Sequence, residues 1–301
     1  MPYPAAMTAL ALDIGGTKFA AACVHPDGTL TGERRVPTPG SGVWTAAATL
    51  LTDVAEGRRV QRVGIASAGP VDVAAGVVGP LNIPEWRDGF PIVDAVQSLF
   101  PEADVSLAID GACAALAEYR FGAGRGTPNQ IGMIVSTGVG GGVLLDGRIA
   151  GGRTGNAGHI GHVVVPGADD ALCACGGHGC LEAVASGPSA VRWANAHGWP
   201  GSTGLELAGA AVAGDEVALA ALRRAGTAVG TAVASTAALL DLDLAVVGGG
   251  FGQAGAPLWE PMRAAARRHA RLTFARDLRL VPATLGGRAT LIGAGLLTQV
   301  D

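Results

Sequence analysis

The chain has 301 residues and a mass of 29.8 kDa, about twice the usual single-domain size, so two domains or one large one are expected. Its net charge of −4, without a basic run, argues against nucleic acid as the main partner. The mean hydropathy of +0.37 comes from apolar residues, Ala above all, spread along the chain rather than from a continuous apolar span, since even the run 227–250 contains Asp241 and Asp243; a membrane-spanning helix is not expected. The opening Met1-Pro2-Tyr3-Pro4 has neither a basic nor an apolar segment of the secretory kind, which points to a cytoplasmic location.

In chain order, residues 8–14 predict a strand that ends in Asp13-Ile14-Gly15-Gly16-Thr17-Lys18. A second strand is expected over 19–24, then a hairpin turn at Pro26-Asp27-Gly28 and a third strand over 29–36. A helix over 45–56 and a strand over 62–67 follow. Residues 105–109 predict a strand that meets Asp110, with a helix from Gly111 to about Arg120. The pattern then restarts: a strand over 131–136 runs into Thr137-Gly138-Val139-Gly140-Gly141-Gly142, followed by 143–145, the turn Asp146-Gly147, and Arg148-Ile149. Strand, glycine-rich turn, strand, Asp-Gly, strand thus occurs twice, which predicts a duplicated unit with a cleft between its halves. The remaining expected elements are helices over 216–239, 258–270 and 290–298, and a strand over 244–247 that ends in Gly248-Gly249-Gly250. Alternating strands and helices give an α/β class. Gly122–Pro128 is the candidate hinge, dividing residues 1–121 from 122–301, with the last helix packing back on the N-terminal part.

A glycine-rich turn leaving a strand lets backbone N–H groups approach an anion, because no Cβ intervenes. Three such turns occur, at Gly15-Gly16-Thr17, Gly138–Gly142 and Gly248-Gly249-Gly250, and none has the spacing of a Walker A loop or a dinucleotide fingerprint. Lys18, beside the first turn, is the only lysine in the chain. Asp13, at the end of the first strand, could hold Mg²⁺ through water or orient a phosphate.

Among the five cysteines, Cys23 and Cys113 stand alone in apolar surroundings and read as small core residues. The others form the series His162-x10-Cys173-x-Cys175-x4-Cys180, an odd number of thiols at short spacing, which suggests metal rather than disulfides. Three thiolates and one imidazole suit tetrahedral Zn²⁺ in a closed, structural site. His178, inside the loop, reads as solvated or as lying behind the ligands.

Asp13-Ile14-Gly15-Gly16-Thr17-Lys18, Ser136-Thr137-Gly138-Val139-Gly140-Gly141-Gly142, Gly161-His162 and Cys173-Ala174-Cys175-Gly176-Gly177-His178-Gly179-Cys180-Leu181-Glu182 occur in the order found in the ROK family, which the chain resembles from about Leu10 to Leu297. That family contains bacterial glucokinases, other sugar and amino-sugar kinases, and sugar-responsive repressors. The resemblance implies an actin-like ATPase fold, with two ribonuclease H-like domains closing over sugar and ATP, and a zinc held by His162, Cys173, Cys175 and Cys180. The short segment before Asp13 leaves no room for a repressor's DNA-binding unit, which favours the kinase branch. Family members are commonly dimers or tetramers, so a homo-oligomer is expected. ATP bound with Mg²⁺ would contact Asp13, Gly15, Gly16, Thr17, Lys18, Thr137, Gly138, Gly248, Gly249 and Gly250.

Phosphoryl transfer to a hydroxyl needs a carboxylate to orient it and accept its proton. The resemblance gives that role to Asp110, although a helix N-cap would also explain an aspartate there. Asn82, His162 and Glu182 match family sugar ligands. Two positions depart. Ile109 stands where the family has the asparagine before the base, and His159 stands where it has a glutamate. An apolar Ile109 leaves a ring hydroxyl unpaired, at a cost of roughly 1–3 kcal/mol. The expected substrate is therefore a modified hexose, such as an amino sugar of 3-amino-3-deoxyglucose type or a cyclitol, phosphorylated on its primary hydroxyl. The alternatives are an ordinary glucokinase in which both changes are drift, and a non-catalytic sugar sensor.

Overall fold

The computed structural model describes residues 8–168 and 171–298. The first half is built on a five-stranded sheet of β1 (Ala9–Ile14), β2 (Lys18–Val24), β3 (Leu30–Pro37), β4 (Arg62–Ser67) and β7 (Asp104–Ile109), in the order β3-β2-β1-β4-β7. β1 to β3 are antiparallel, whereas β1, β4 and β7 are parallel. The sequence explains the order. β1 reads ALALDI and is buried almost throughout, as a strand covered on both faces must be. β3 reads LTGERRVP and carries its charges along the sheet edge, where they discourage pairing with another chain. Helices α1 (Val43–Ala55) and α2 (Ile92–Leu99) supply apolar residues to the core of this half, and the short hairpin β5 (Val71–Asp72) and β6 (Val77–Val78) lies between β4 and α2 in the chain.

The second half repeats the plan. Its sheet is formed by β8 (Gln130–Val135), β9 (Val139–Leu145), β10 (Arg148–Ile149), β11 (Leu244–Gly248) and β12 (Arg279–Pro282), in the order β10-β9-β8-β11-β12. Here β8, β11 and β12 are parallel and β9 and β10 antiparallel, the same connectivity as in the first half. The duplication read from the sequence is therefore structural. Between β10 and β11 come α4 (Glu182–Ala185), α5 (Gly187–Ala196), α6 (Gly204–Val212) and α7 (Glu216–Leu240); α8 (Ala256–His269) packs along α7. By length and composition α7 could cross a membrane, yet 61% of its most apolar window is buried inside the fold, as befits a core helix.

Two helices lie between the sheets. α3 (Asp110–Phe121) leaves β7 of the first half and packs on β8 and β9 of the second. α9 (Ala289–Leu297) leaves the second half and packs on β1, β2 and β4 of the first. Glycines make this close stacking possible: a Cβ on Gly142 would overlap Ala112, and one on Gly111 would overlap Gly141. The glycine-rich run therefore divides. Only Thr137 and Gly138 form a turn, while Gly140, Gly141 and Gly142 sit in β9, where the last two give α3 its seat. The topology is that of the actin-like ATPases, two ribonuclease H-like units about a cleft.

Candidate active site

Both sheets end in a tight turn at the cleft. The β1–β2 turn closes with Gly15 N–H donating to Lys18 O (3.1 Å), and Thr38, just past β3, braces it through Oγ1 to Gly15 O (2.7 Å). The β8–β9 turn closes with Ser136 N–H donating to Gly138 O (2.8 Å), and Gly187 N–H at the start of α5 donates to Ser136 O (2.8 Å). Thr17, Lys18 and Thr137 are exposed. Thr38 and Gly187 carried no motif that sequence reasoning could have used.

Asp110 is the first residue of α3. Its Oδ1 accepts from Gly111 N–H (2.7 Å), one residue on, and the helix has no side-chain bond at its cap. An N-cap carboxylate would instead reach two or three residues on, so helix capping does not account for Asp110. Its Oδ1 lies against Gly140 of β9. Burial pushes the Asp110 carboxyl up to about 6, against the pull of the Gly111 N–H. Asp13, at the end of β1, is pushed up to about 7 by burial and then by the Asp110 charge, with Lys18 and Arg35 acting the other way. Asp13, Lys18 and Asp110 thus share one electrostatic site.

Gly248, Gly249 and Gly250 line a cavity of about 310 Å³ together with Gln253, Gly286, Gly287 and Thr290. Gly286 and Gly287 are additions from beyond β12; a glycine pair before a helix is too common in a chain of 48 glycines to have been singled out. Glu182 begins α4 and turns toward the β8–β9 turn, where its Oε2 accepts from Val139 N–H (2.8 Å). The Asn82 amide lies against Gly16, so closely that a Cβ there would overlap it.

His162, Cys173, Cys175 and Cys180 converge, with one donor atom of each within 4.8 Å of all the others. Cys173 Sγ is 3.8 Å from His162 Nδ1, and Cys175 Sγ is 3.8 Å from Cys180 Sγ. A disulfide would require about 2.05 Å, whereas thiolates at about 2.3 Å from a tetrahedral zinc stand roughly 3.8 Å apart. The donor set fits that ion. Burial holds the Cys173 thiol up and pushes that of Cys180 to about 12, while the Gly177 N–H draws Cys175 down. A divalent cation would reverse the upward shifts. His178 is exposed and outside the cluster; its backbone bridges Leu172.

The two departing positions sit differently from each other. Ile109 caps α3 and is 1% exposed within the apolar core of the first half, so it presents no polar atom to the cleft. His159 is half-buried, its ring 5.8 Å from that of His162 and its Nε2 3.2 Å from Asn156 Oδ1. Burial and the neighbouring His162 lower its pKa, which favours the neutral ring.

Two strand-end glycine turns and a half-buried carboxylate raised by burial suit a phosphotransferase that acts on a hydroxyl. The ROK family model matches residues 9–300, and the chain belongs to the ROK family. It is 37% identical over 251 residues to the N-acetylmannosamine kinase of Yersinia pseudotuberculosis, covering 81% of this chain and 83% of that one. It is 32% identical over 315 residues to the glucokinase of Streptomyces coelicolor, covering 96% and 97%. The crystal structure of a ROK family glucokinase from Streptomyces griseus in complex with glucose and AMPPNP superposes with a TM-score of 0.84 at 34% identity, over 97% of this chain and all of that one. The protein is an ATP-dependent sugar kinase.

Proposed function

We propose that the chain transfers the γ-phosphoryl group of ATP to the primary hydroxyl of a hexose whose ring differs from that of glucose, with an amino sugar as the best fit. The reading rests on Asp110, a raised carboxyl between the two glycine turns with no capping role to explain it. In the step, the sugar oxygen attacks the γ-phosphorus, its proton passes to an Asp110 oxygen, and the bond to the ADP oxygen breaks. Lys18 and the N–H groups of Gly16, Thr17, Thr137 and Gly138 offset the phosphate charge, with the Gly15 N–H closing the first turn, and Asp13 would hold Mg²⁺ through water. Bound Mg²⁺ supplies charge neutralisation on the transferred group. The cavity beside Gly248, Gly249 and Gly250 takes the nucleoside.

Asn82, His162 and Glu182 meet the ring hydroxyls, and zinc on His162, Cys173, Cys175 and Cys180 fixes the loop that carries two of them. With His162 Nδ1 turned to the cluster, Nε2 is the nitrogen left for the sugar. Ile109 and His159 support the substrate class. The first removes a polar partner; the second substitutes a ring that the local environment keeps neutral for a carboxylate. The likeness to an N-acetylmannosamine kinase favours an amino sugar over a cyclitol. An ATP-consumption screen over glucose, mannose, free and N-acetylated amino sugars and cyclitols tests the reading. An amino sugar should give the highest kcat/KM, at least tenfold above glucose; a value for glucose near 10⁵ M⁻¹s⁻¹, ordinary for an enzyme on its own substrate, would make both departures drift.

A further inference from the structure

The segment 151–159 of the second half lies across residues 69–73 of the first, and one side chain makes most of the polar joint. Asn156 Oδ1 accepts from Val71 N–H (2.9 Å), while its Nδ2 donates to Val71 O (2.6 Å) and to Thr154 Oγ1 (2.9 Å). The partners stand 85 residues apart in the chain. Thr154 O extends the pairing by accepting from Val73 N–H (2.9 Å). Asn156 thereby does for Val71 what a neighbouring strand would do, meeting both backbone groups at once. Gly155 sits between, with φ +96° and its Cα face turned so closely to Val73 that a side chain would collide.

The orientation of the amide follows from its partners. Turned over, it would set an NH₂ against the Val71 N–H and a carbonyl against the Val71 carbonyl, so Oδ1 is the oxygen. Oδ1 also faces His159 Nε2 at 3.2 Å. An oxygen can only accept, so His159 donates from Nε2. In the neutral ring this leaves Nδ1 as the acceptor. At the same edge, Cε1 and Nε2 of the His159 ring abut Gly69, where a Cβ would overlap them. Backbone of the first half and the amide of Asn156 therefore meet the Nε2 edge of the ring together.

We infer that Asn156 is a positioning residue that closes the sugar side of the cleft, joining the two halves at Val71 and orienting His159, without itself touching the sugar. The inference rests on the sugar lying between these segments, as proposed above, but the joint can be tested apart from any sugar. Hydrogen exchange of wild type, Asn156→Ala and Asn156→Asp would be followed at the Val71 and Val73 amides. Asn156→Asp keeps the acceptor and sets a second oxygen against Val71 O. Both variants should exchange at least tenfold faster at these two amides, with the core of each sheet unchanged. Unchanged exchange overturns the joint.

Steady-state kinetics with glucose, mannosamine and N-acetylmannosamine tests the positioning. KM for the best of these sugars should rise tenfold or more in both variants, with kcat within threefold and KM for ATP within twofold of wild type. A loss confined to kcat, or an equal rise in both KM values, overturns positioning on the sugar side. If wild type phosphorylates none of the three sugars, the substrate reading fails and exchange alone decides on Asn156. Should Asn156→Ala not fold, Asn156→Asp carries both measurements.

Discussion

Asp110 is where chemistry and folding energetics pull in opposite directions. Its carboxyl is half-buried with one N–H partner, and the resulting rise to about 6 costs stability. The folded state binds the proton more tightly than the unfolded one, whose carboxyl lies near about 3.9. This contribution to stability is therefore complete below about pH 4 and declines as pH rises through about 6. Activity runs the other way. A base must be ionised, so kcat/KM for the sugar should fall about tenfold per pH unit below about 6; a profile flat from pH 7 to 5 would assign the step to another group. Asp110→Asn keeps the shape and cannot take a proton. It should lower kcat by roughly 10²–10⁴ while sugar affinity, measured by calorimetry, stays within about tenfold. A variant with a third of the wild-type kcat would return Asp110 to a structural role. The aspartate could be read in the sequence because it ends an apolar strand. That it does not cap α3 shows only in the fold, since an aspartate before a helix has the same spacing whether its carboxylate reaches the next N–H or one further along.

At the scale of elements, what could be read in advance follows from which residues interact with near neighbours. The β1–β2–β3 meander, the repeat of that meander, and helices α1, α3, α7, α8 and α9 have local periodicity and local turns, and they were legible within a few residues. The hairpin β5–β6, α2, α5, α6 and β12 were not. β5 and β6 are two residues each, and β12 exists through parallel pairing with β11, a partner more than thirty positions away that no local pattern announces. The run Thr137–Gly142 shows the same limit: its glycines look alike in sequence, but Gly141 and Gly142 serve helix seating. The thiol–imidazole loop, by contrast, is local, and the four residues that converge in it were legible from their spacing. Backbone bonds tie its ends, Val165 N–H to Gly179 O and Leu181 N–H to Val163 O, while its tip around Cys175 is exposed. Zinc would add to these bonds a tie between His162 and the exposed tip at Cys175. Protein purified without added metal should carry about one zinc per chain by elemental analysis. Removing it with a chelator should lower Tm and raise KM for the sugar more than KM for ATP. Folded, active enzyme with under about 0.2 zinc per chain would rule the site out.

The whole molecule turns on the two places where the chain crosses between its halves, and one carboxylate holds both. Glu118, 2% exposed near the end of α3, accepts from Ala123 N–H (2.8 Å) just past the first crossing. It also accepts from Thr284 N–H (2.9 Å), Leu285 N–H (2.8 Å) and Thr284 Oγ1 (3.2 Å) at the second. A negative charge in the last turns of a helix opposes the helix dipole, so local helix stability does not explain it; the loops do. Gly122 leaves the space, since a Cβ there would overlap Glu118 Oε2. Closing a cleft by rotation requires the two crossings to move as one pivot, and a carboxylate accepting from both makes them one. Glu118→Gln turns an amide NH₂ toward backbone donors and strands at least one of them, which should cost roughly 1–3 kcal/mol in urea unfolding. If the pivot matters for catalysis, KM for sugar and for ATP should rise together in this variant, because both substrates need the closed form. Small-angle scattering with AMPPNP and the sugar of highest kcat/KM should show less compaction than in wild type. Gly122→Ala, which displaces the same carboxylate from the opposite side, should reproduce both effects. A Glu118→Gln enzyme that loses stability yet keeps both KM values and full compaction would make Glu118 a structural staple alone.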